Sequence, residues 1–253
     1  MKDGFRLYDT HAHLGTAKHS GRVHDTDRLL DAMDRAGVDR AVLIPFPVVA
    51  DLRREHDLIG AATRAYPDRF SGAACIDPFL PEPDFRDELR RCVEVLGLRA
   101  LKLQPQYQAL NPLSSRAEFF FGMAAEFRVP VIAHTGTGVP FSLPSLFIVP
   151  ARKFPDLTIV LGHAGGSLFL LETIVAAGVC PNICIELSSL MPHHVLEILQ
   201  HVPASRLMAG ADLPESLETE LHKILGLAIS NEEKEAILWR TGRRVFDGES
   251  PNP

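Results

Sequence analysis

The chain has 253 residues, of which 46% are hydrophobic and 23% charged, and its formal net charge at pH 7 is -6. This length suits one α/β barrel of roughly 250 residues and leaves little chain for a second domain. The lysines and arginines are scattered along the sequence, which argues against binding to nucleic acid or to an anionic membrane and favours a small-molecule substrate.

The sequence carries no sign of export or membrane insertion. Residues 1–6 lack the apolar core of a signal peptide, and the longest apolar stretch, 168–179, is interrupted by Glu172 and Thr173. Four cysteines lie in or beside apolar segments without metal-site or disulfide spacing: Cys75, Cys92, Cys180 and Cys184. We therefore expect a cytoplasmic protein with buried free thiols.

Strand and helix patterns alternate along the whole chain. Eight apolar runs have the length of strands: 5–10, 41–45, 70–76, 98–103, 130–134, 158–161, 182–187 and 206–211. Segments with helical spacing lie between them: 25–36, 51–65, 84–96, 114–127, 168–177, 192–201 and 215–225, with 144–154 as the weakest.

Such alternation predicts a parallel sheet, and eight repeats favour a single (β/α)8 TIM barrel over an open doubly wound sheet. No dinucleotide-binding glycine motif follows the first strand. One closing helix is expected over 231–246. We therefore assign 1–247 to the barrel and 248–253 to a frayed tail.

Residue types that bind metals stand at the ends of four predicted strands. The first is followed by His11 and His13, which lie two apart and project to the same side, and three later runs end in His134, His163 and Asp212. Each residue alone is more often structural, as a hydrogen-bonded histidine or a helix N-cap. Because the carboxyl ends of barrel strands converge on one cavity, the four ends together indicate one metal site.

The chain resembles a known family in five motifs that occur in the family's order: Asp9-Thr10-His11-Ala12-His13, Leu101-Lys102-Leu103, Ile132-Ala133-His134-Thr135-Gly136, Gly162-His163-Ala164-Gly165-Gly166 and Gly210-Ala211-Asp212-Leu213-Pro214. This family is the metal-dependent amidohydrolase superfamily, and the likeness is greatest to its compact amidohydrolase 2 branch of TIM-barrel hydrolases and non-oxidative decarboxylases. The resemblance implies that His11, His13, His134 and Asp212 bind the metal. It implies that His163 is a second-metal ligand or an acid/base and electrophilic group.

Lys102 has two interpretations. In dinuclear members of the superfamily a lysine at the end of the fourth strand is carboxylated and bridges two metals, whereas in this branch such lysines often bind substrate as ammonium groups. We favour one ion and a cationic Lys102; two ions per chain and a dependence on carbon dioxide would reverse that preference. Three histidines and a carboxylate suit Zn first, with Mn or Fe as alternatives.

Other polar residues are expected around the cavity. Lys102, Gln104, Arg22 and Tyr107 are the candidate substrate contacts, and Gln104 shares the inward parity of Lys102. Strand parity also places Glu186 inside the barrel, where a carboxylate requires a partner. We favour a hydrogen-bonded structural acid there; the alternative is a contact with Lys102 or with a metal-bound histidine.

The expected reaction is hydrolysis of an amide, lactone or ester-like carbonyl, with Asp212 accepting the proton of water and His163 stabilising the oxyanion. Decarboxylation of a small aromatic or unsaturated acid is the alternative, and a barrel that binds a metal or metabolite without turnover is the third. Family decarboxylases commonly have longer chains with inserted loops, which favours hydrolysis. The run Phe119-Phe120-Phe121 must place one ring off the core-facing stripe, and it is a candidate contact in a homo-oligomer.

Overall fold

A barrel of parallel strands dominates the computed structural model, which describes residues 2–248. Its strands are β1 (Tyr8–Thr16), β2 (Val23–His24), β3 (Arg40–Pro45), β4 (Phe70–Ala74), β5 (Ala100–Leu103), β6 (Val131–His134), β7 (Ile159–Gly162), β8 (Ile183–Glu186) and β9 (Leu207–Met208). All except β2 pair in parallel in chain order, while β2 pairs antiparallel with the end of β1.

Hydrogen bonds between the first and last strands close the barrel. The N–H of Thr10 donates to the carbonyl of Ala209 at 3.0 Å, and the N–H of Asp212 donates to the carbonyl of His11 at 2.6 Å. A parallel bridge also joins Ala12 to Asp212. The predicted TIM barrel is therefore confirmed, and β2 is an addition that the sequence patterns did not indicate.

In the described part of the chain, eight helices surround the barrel: α1 (Thr26–Ala36), α2 (Leu52–Ala65), α3 (Glu82–Arg90), α4 (Ser115–Glu126), α5 (Ile148–Lys153), α6 (Leu170–Val179), α7 (Pro192–Leu199) and α8 (Leu217–Leu225). Asp25, Asp51 and Ser114 begin α1, α2 and α4 by accepting a hydrogen bond from the backbone N–H three residues later. The weakest predicted segment forms a 3-10 turn, Pro144–Phe147, followed by the six-residue α5.

The predicted closing helix covers the amino ends of the strands. It consists of α9 (Asn231–Glu235), a π-helical turn (Ala236–Arg240) and α10 (Thr241–Asp247). Trp239 and Phe246 pack into the apolar cluster inside the barrel with Tyr8, the first residue of β1. A Cβ at Gly242 would stand 2.9 Å from the Tyr8 ring, so the close approach of this helix requires glycine. The barrel is thereby filled at its base and open at the carboxyl ends. Residues 249–253 of the predicted tail lie outside the described residues.

The run of three phenylalanines at 119–121 is largely buried. Phe120 and Phe121 are buried, and the half-buried Phe119 packs against Phe85 and the guanidinium of Arg116. Two of the three rings therefore pack within the chain, and only Phe119 stays partly exposed. Within residues 2–248, each helix is too short or too polar to cross a bilayer.

Candidate metal centre

Asp9 fastens β1 to the segment that carries Asp212. Its Oδ1 accepts hydrogen bonds from the backbone N–H of His11 at 3.0 Å and of Ala211 at 2.9 Å. Burial raises the pKa of Asp9 to about 8. The sequence gives Asp9 no evident role beyond its place in a motif, but in the structure it links the ends of the first and last strands.

Three donor atoms at this junction face one another. Asp212 Oδ1 lies 3.4 Å from His13 Nε2 and 3.7 Å from His11 Nε2. Ligands held by one divalent ion with bonds of about 2.0–2.2 Å stand about 3.0–3.5 Å apart, so this spacing fits a single ion with little adjustment. His11, His13 and Asp212 form one of the groups of the described residues that could hold a metal.

Asp212 is ionised at this position. Burial opposes its charge, but the hydrogen bond with His13 and the surrounding histidines hold the pKa of Asp212 well below its ordinary value. Its backbone is left-handed, with φ of +66°, a conformation that aspartate tolerates better than most residues. The bridge to β1 fixes this conformation and turns the carboxylate toward His13.

His134 lies at the same cavity but outside the group of three donors. Its Nε2 lies 2.7 Å from the carbonyl of Thr137, to which it donates, and this bond turns that nitrogen toward its own loop. The structure therefore does not bring His134 into the predicted ligand set. Burial lowers the pKa of His134 to about 4, so its ring is neutral, as a metal ligand must be.

His163 stands beside the donor group rather than in it. It follows β7 with φ of +64°, and its ring stacks on that of His11 with centroids 4.7 Å apart. Its Nδ1 lies 2.7 Å from Ser188 Oγ. Burial lowers the pKa of His163 well below its usual value, so the ring is neutral at pH 7.

Lys102 is wholly buried at the floor of the cavity. Its Nζ lies 2.9 Å from His11 Nε2, and burial lowers the pKa of Lys102 to about 8. Among residues 2–248, no carboxylate lies within salt-bridge distance of this nitrogen. A buried cation without a paired carboxylate favours an anionic ligand.

Glu186 is a hydrogen-bonded structural acid, and it also contacts a candidate metal-binding histidine. Its Oε2 lies 2.9 Å from His11 Nδ1 and accepts from Ser188 Oγ at 2.9 Å and from the N–H of His163 at 3.0 Å. It is a fully bonded structural acid, and its contact is with His11 rather than with Lys102. A carboxylate only accepts, so His11 carries its proton on Nδ1. Its Nε2 lone pair accepts from Lys102 Nζ, and it becomes available to a metal when Lys102 turns away.

The four predicted substrate contacts all line the cavity, which has a volume of about 210 Å³: Arg22, Lys102, Gln104 and Tyr107. Gln104 also holds the loop, since its Oε1 accepts from the N–H of Tyr107 at 2.9 Å. Sequence reasoning missed Phe46, whose ring stacks nearly parallel on His13 with centroids 4.8 Å apart. Phe46 directly follows β3 in the chain, and apolar residues there carry no sequence signal for a ligand.

His163 forms a second group of metal-binding residue types with His11 and Glu186. A third group lies between α2 and α3 and is formed by His56, Glu88 and Cys92. His56 Nδ1 donates to Glu88 at 2.8 Å, and its Nε2 accepts from the N–H of Cys75 at 3.0 Å. Glu88 also pairs with Arg91 at 2.6 Å. With both ring nitrogens used and an arginine on the carboxylate, this group joins helices to the barrel rather than offering a metal site.

Comparison with known proteins agrees with this architecture. Residues 8–248 match the Amidohydro_2 family model, described as amidohydrolase. A search of curated proteins found no match.

Solved structures of similar fold include 5-carboxyvanillate decarboxylase from Novosphingobium aromaticivorans complexed with manganese, with 17% identity, coverage of 97% of both chains and a TM-score of 0.81. They also include 2,6-dihydroxybenzoate decarboxylase from Rhizobium, with 17% identity, coverage of 96% of this chain and 99% of that chain, and a TM-score of 0.76. A third is 4-oxalomesaconate hydratase from Rhodopseudomonas palustris, with 19% identity, coverage of 95% of both chains and a TM-score of 0.74. At these identities the likeness concerns the fold.

Proposed function

Because this chain belongs to the amidohydrolase family, we propose that it is a divalent-metal enzyme that decarboxylates a small aromatic or unsaturated acid. The observation that carries this proposal is the buried ammonium of Lys102, which has no paired carboxylate among residues 2–248 and stands 2.9 Å from His11 in the cavity. An acid substrate supplies the missing negative charge. A neutral amide or lactone does not.

The metal site is proposed at His11, His13 and Asp212, because their donor atoms have the spacing of ligands on one ion. His134 joins them if its ring nitrogen leaves the carbonyl of Thr137. Three histidines and a carboxylate suit Zn, and Mn, which accompanies the Novosphingobium decarboxylase, and Fe are alternatives. When bound, such an ion polarises a substrate oxygen and lowers the pKa of a bound water to about 7.

The cavity walls suit a small planar acid. The parallel rings of Phe46 and His13 form a flat apolar side, Lys102 receives the carboxylate from below, and Arg22 lies among the cavity-lining residues with a second positive charge. Each cation adds a charge-assisted hydrogen bond to an anionic substrate. These contacts fix the substrate with its reacting carbon near Asp212.

The proton transfers are assigned to Asp212 and His163. Ionised Asp212 accepts the proton of a substrate hydroxyl, the bond between the ring carbon and its carboxyl carbon breaks to release carbon dioxide, and Asp212 returns the proton to that carbon. The Ser188 hydroxyl donates to Glu186, so neutral His163 donates from Nδ1 to Ser188 and is left with an unprotonated Nε2, which can accept a hydrogen bond from the substrate hydroxyl.

Hydrolysis of a lactone, amide or ester-like carbonyl is the second candidate. The ionised carboxylate of Asp212 among the metal-binding donors also suits the removal of a proton from water. The short loops of this chain do not favour hydrolysis over decarboxylation. Two decarboxylase structures align with it over 97% and 99% of their own chains, so they lack long inserted loops relative to this chain. The difference between the two reactions lies in whether the substrate itself must be an acid.

One assay separates these reactions. Protein loaded in turn with Zn and Mn is incubated with hydroxybenzoates and with unsaturated acids, and in parallel with lactones and amides. Released carbon dioxide and released acid are measured separately. The proposal expects carbon dioxide from an acid, and lost turnover in Asp212→Asn. Acid release from neutral substrates alone supports hydrolysis, and bound metal without turnover on both panels supports a non-catalytic binder.

A further inference from the structure

Helix α6 presents an apolar stripe to solvent on the outside of the barrel. Leu171, Val175 and Val179 recur at intervals of four residues and therefore share one helix face. They are 68%, 56% and 44% exposed, and Leu168, just before the helix, is 84% exposed. The surface helix of a monomer usually places polar residues on such a face. This face has no covering element within residues 2–248.

Neighbouring elements extend the stripe at both ends. Near its start, Ser167 Oγ lies 3.4 Å from a ring nitrogen of His194, which brings the start of α7 and the exposed Met191 alongside. Near its end, Cys180 Sγ donates to the carbonyl of Ile148, which brings the neighbouring exposed Val149 alongside. We define the α6 surface as these exposed apolar side chains: Val149, Leu168, Leu171, Val175, Val179 and Met191.

Helix α6 itself adds almost no charge to the α6 surface. Between 167 and 182 the only charged side chain is Glu172, and its carboxylate accepts from Ser145 Oγ at 2.7 Å. Two identical uncharged surfaces can face each other without repulsion between like charges. Helices that lie on membranes carry lysine and arginine along their polar face, and α6 has neither. The charge pattern therefore favours a second copy of this chain over a lipid surface.

The size of the α6 surface also suits a dimer. Its exposed side chains present on the order of 500 Å² of apolar area, near the upper end for a patch on a soluble monomer. Two copies would bury about 1,000 Å² in total, which is the lower limit for a specific interface. A Cβ built at Gly178 would meet no atom within 4 Å, so a partner helix can approach closely there. We propose that two copies of this chain associate through the α6 surface in an isologous dimer.

Sedimentation velocity at micromolar concentration tests this proposal. Wild type is expected to sediment as a dimer, and the double variant Leu171→Lys/Val175→Lys as a monomer with unchanged circular dichroism. Val95→Lys is the matched control, because Val95 is an apolar residue that is 70% exposed on another helix, and it is expected to remain dimeric. A monomeric wild type, or a dimeric double variant, would overturn the proposal.

Hydrogen exchange of the wild type provides a test that does not depend on a variant. Diluting a dimer into its monomer range is expected to increase exchange in peptides from α6 and the start of α7, while peptides from α4 stay unchanged. An increase confined to other helices would place the contact elsewhere and contradict this assignment.

Discussion

Glu186 Oε2 lies 2.9 Å from His11 Nδ1, and both side chains are wholly buried. The same carboxylate accepts from the N–H of His163 and from both the N–H and hydroxyl of Ser188. A Cβ at Gly210 would stand 2.4 Å from Glu186 Oε1, so the strand that leads to Asp212 leaves room for this carboxylate. Glu186 thus connects three strand ends and fixes which nitrogen of His11 faces the cavity.

Replacing Glu186 with glutamine is expected to weaken metal binding. The amide can no longer provide a negative charge to the His11 ring, and loss of such a partner typically reduces metal affinity by about 10–100-fold. Titration calorimetry with Zn and Mn measures this directly. Glu218→Gln is the control, since Glu218 is a largely exposed carboxylate with a loose contact to Lys2, and its metal affinity is expected to match wild type. Equal affinities for both variants would refute the orienting role.

Asp212→Asn is expected to abolish turnover while preserving the fold. An amide cannot take up the transferred proton, and losing a general acid/base group typically costs about 10²–10⁴-fold in rate. The value of kcat is measured on the substrate found in the assay, with circular dichroism to verify folding. Wild-type turnover by this variant would remove Asp212 from the reaction.

Lys102→Met is expected to raise KM for an acid substrate by at least about 10-fold, because one buried charge-assisted hydrogen bond is lost. Removal of an unpaired buried cation should leave the melting temperature unchanged or higher. Lys18→Met serves as the control, since Lys18 is exposed on the neighbouring loop. Unchanged KM in the Lys102 variant would mean that the substrate carboxylate binds elsewhere.

Stability at acid pH is expected to depend on Glu88. Burial opposes its charge, but hydrogen bonds with His56 and Arg91 lower the pKa of Glu88 to about 2. A carboxyl group with a lower pKa in the folded than in the unfolded protein stabilises the fold at pH values above its unfolded pKa of 4.5. This stabilisation is lost as the pH drops from 4.5 toward 2. Glu88→Gln should lower stability at pH 7 by about 1 kcal/mol, after allowance for solvent screening. The difference from wild type should shrink by pH 3 in urea unfolding; a constant difference would contradict the assignment.

Much of the barrel and its cavity could be predicted from the sequence because strand parity and strand order determine where side chains meet. His11, His13 and Asp212 lie together although 201 positions separate His11 from Asp212, since the first and last strands pair. The orientation of His134 could not be predicted, because it depends on a carbonyl of the following loop. Strand parity predicted that Glu186 lies inside the barrel. That Glu186 bonds to His11 rather than to Lys102 depends on distances that a sequence does not contain.

A structure of the metal-loaded protein, with the ion identified by anomalous scattering, shows whether one metal site lies where the first and last strands meet. We expect one ion per chain within about 2.0–2.2 Å of His11 Nε2, His13 Nε2 and an oxygen of Asp212. We also expect an unmodified Lys102 and a Glu186 that still bonds to His11 Nδ1. An ion bound away from His11, His13 and Asp212, or two ions bridged by a carboxylated Lys102, would contradict this expectation.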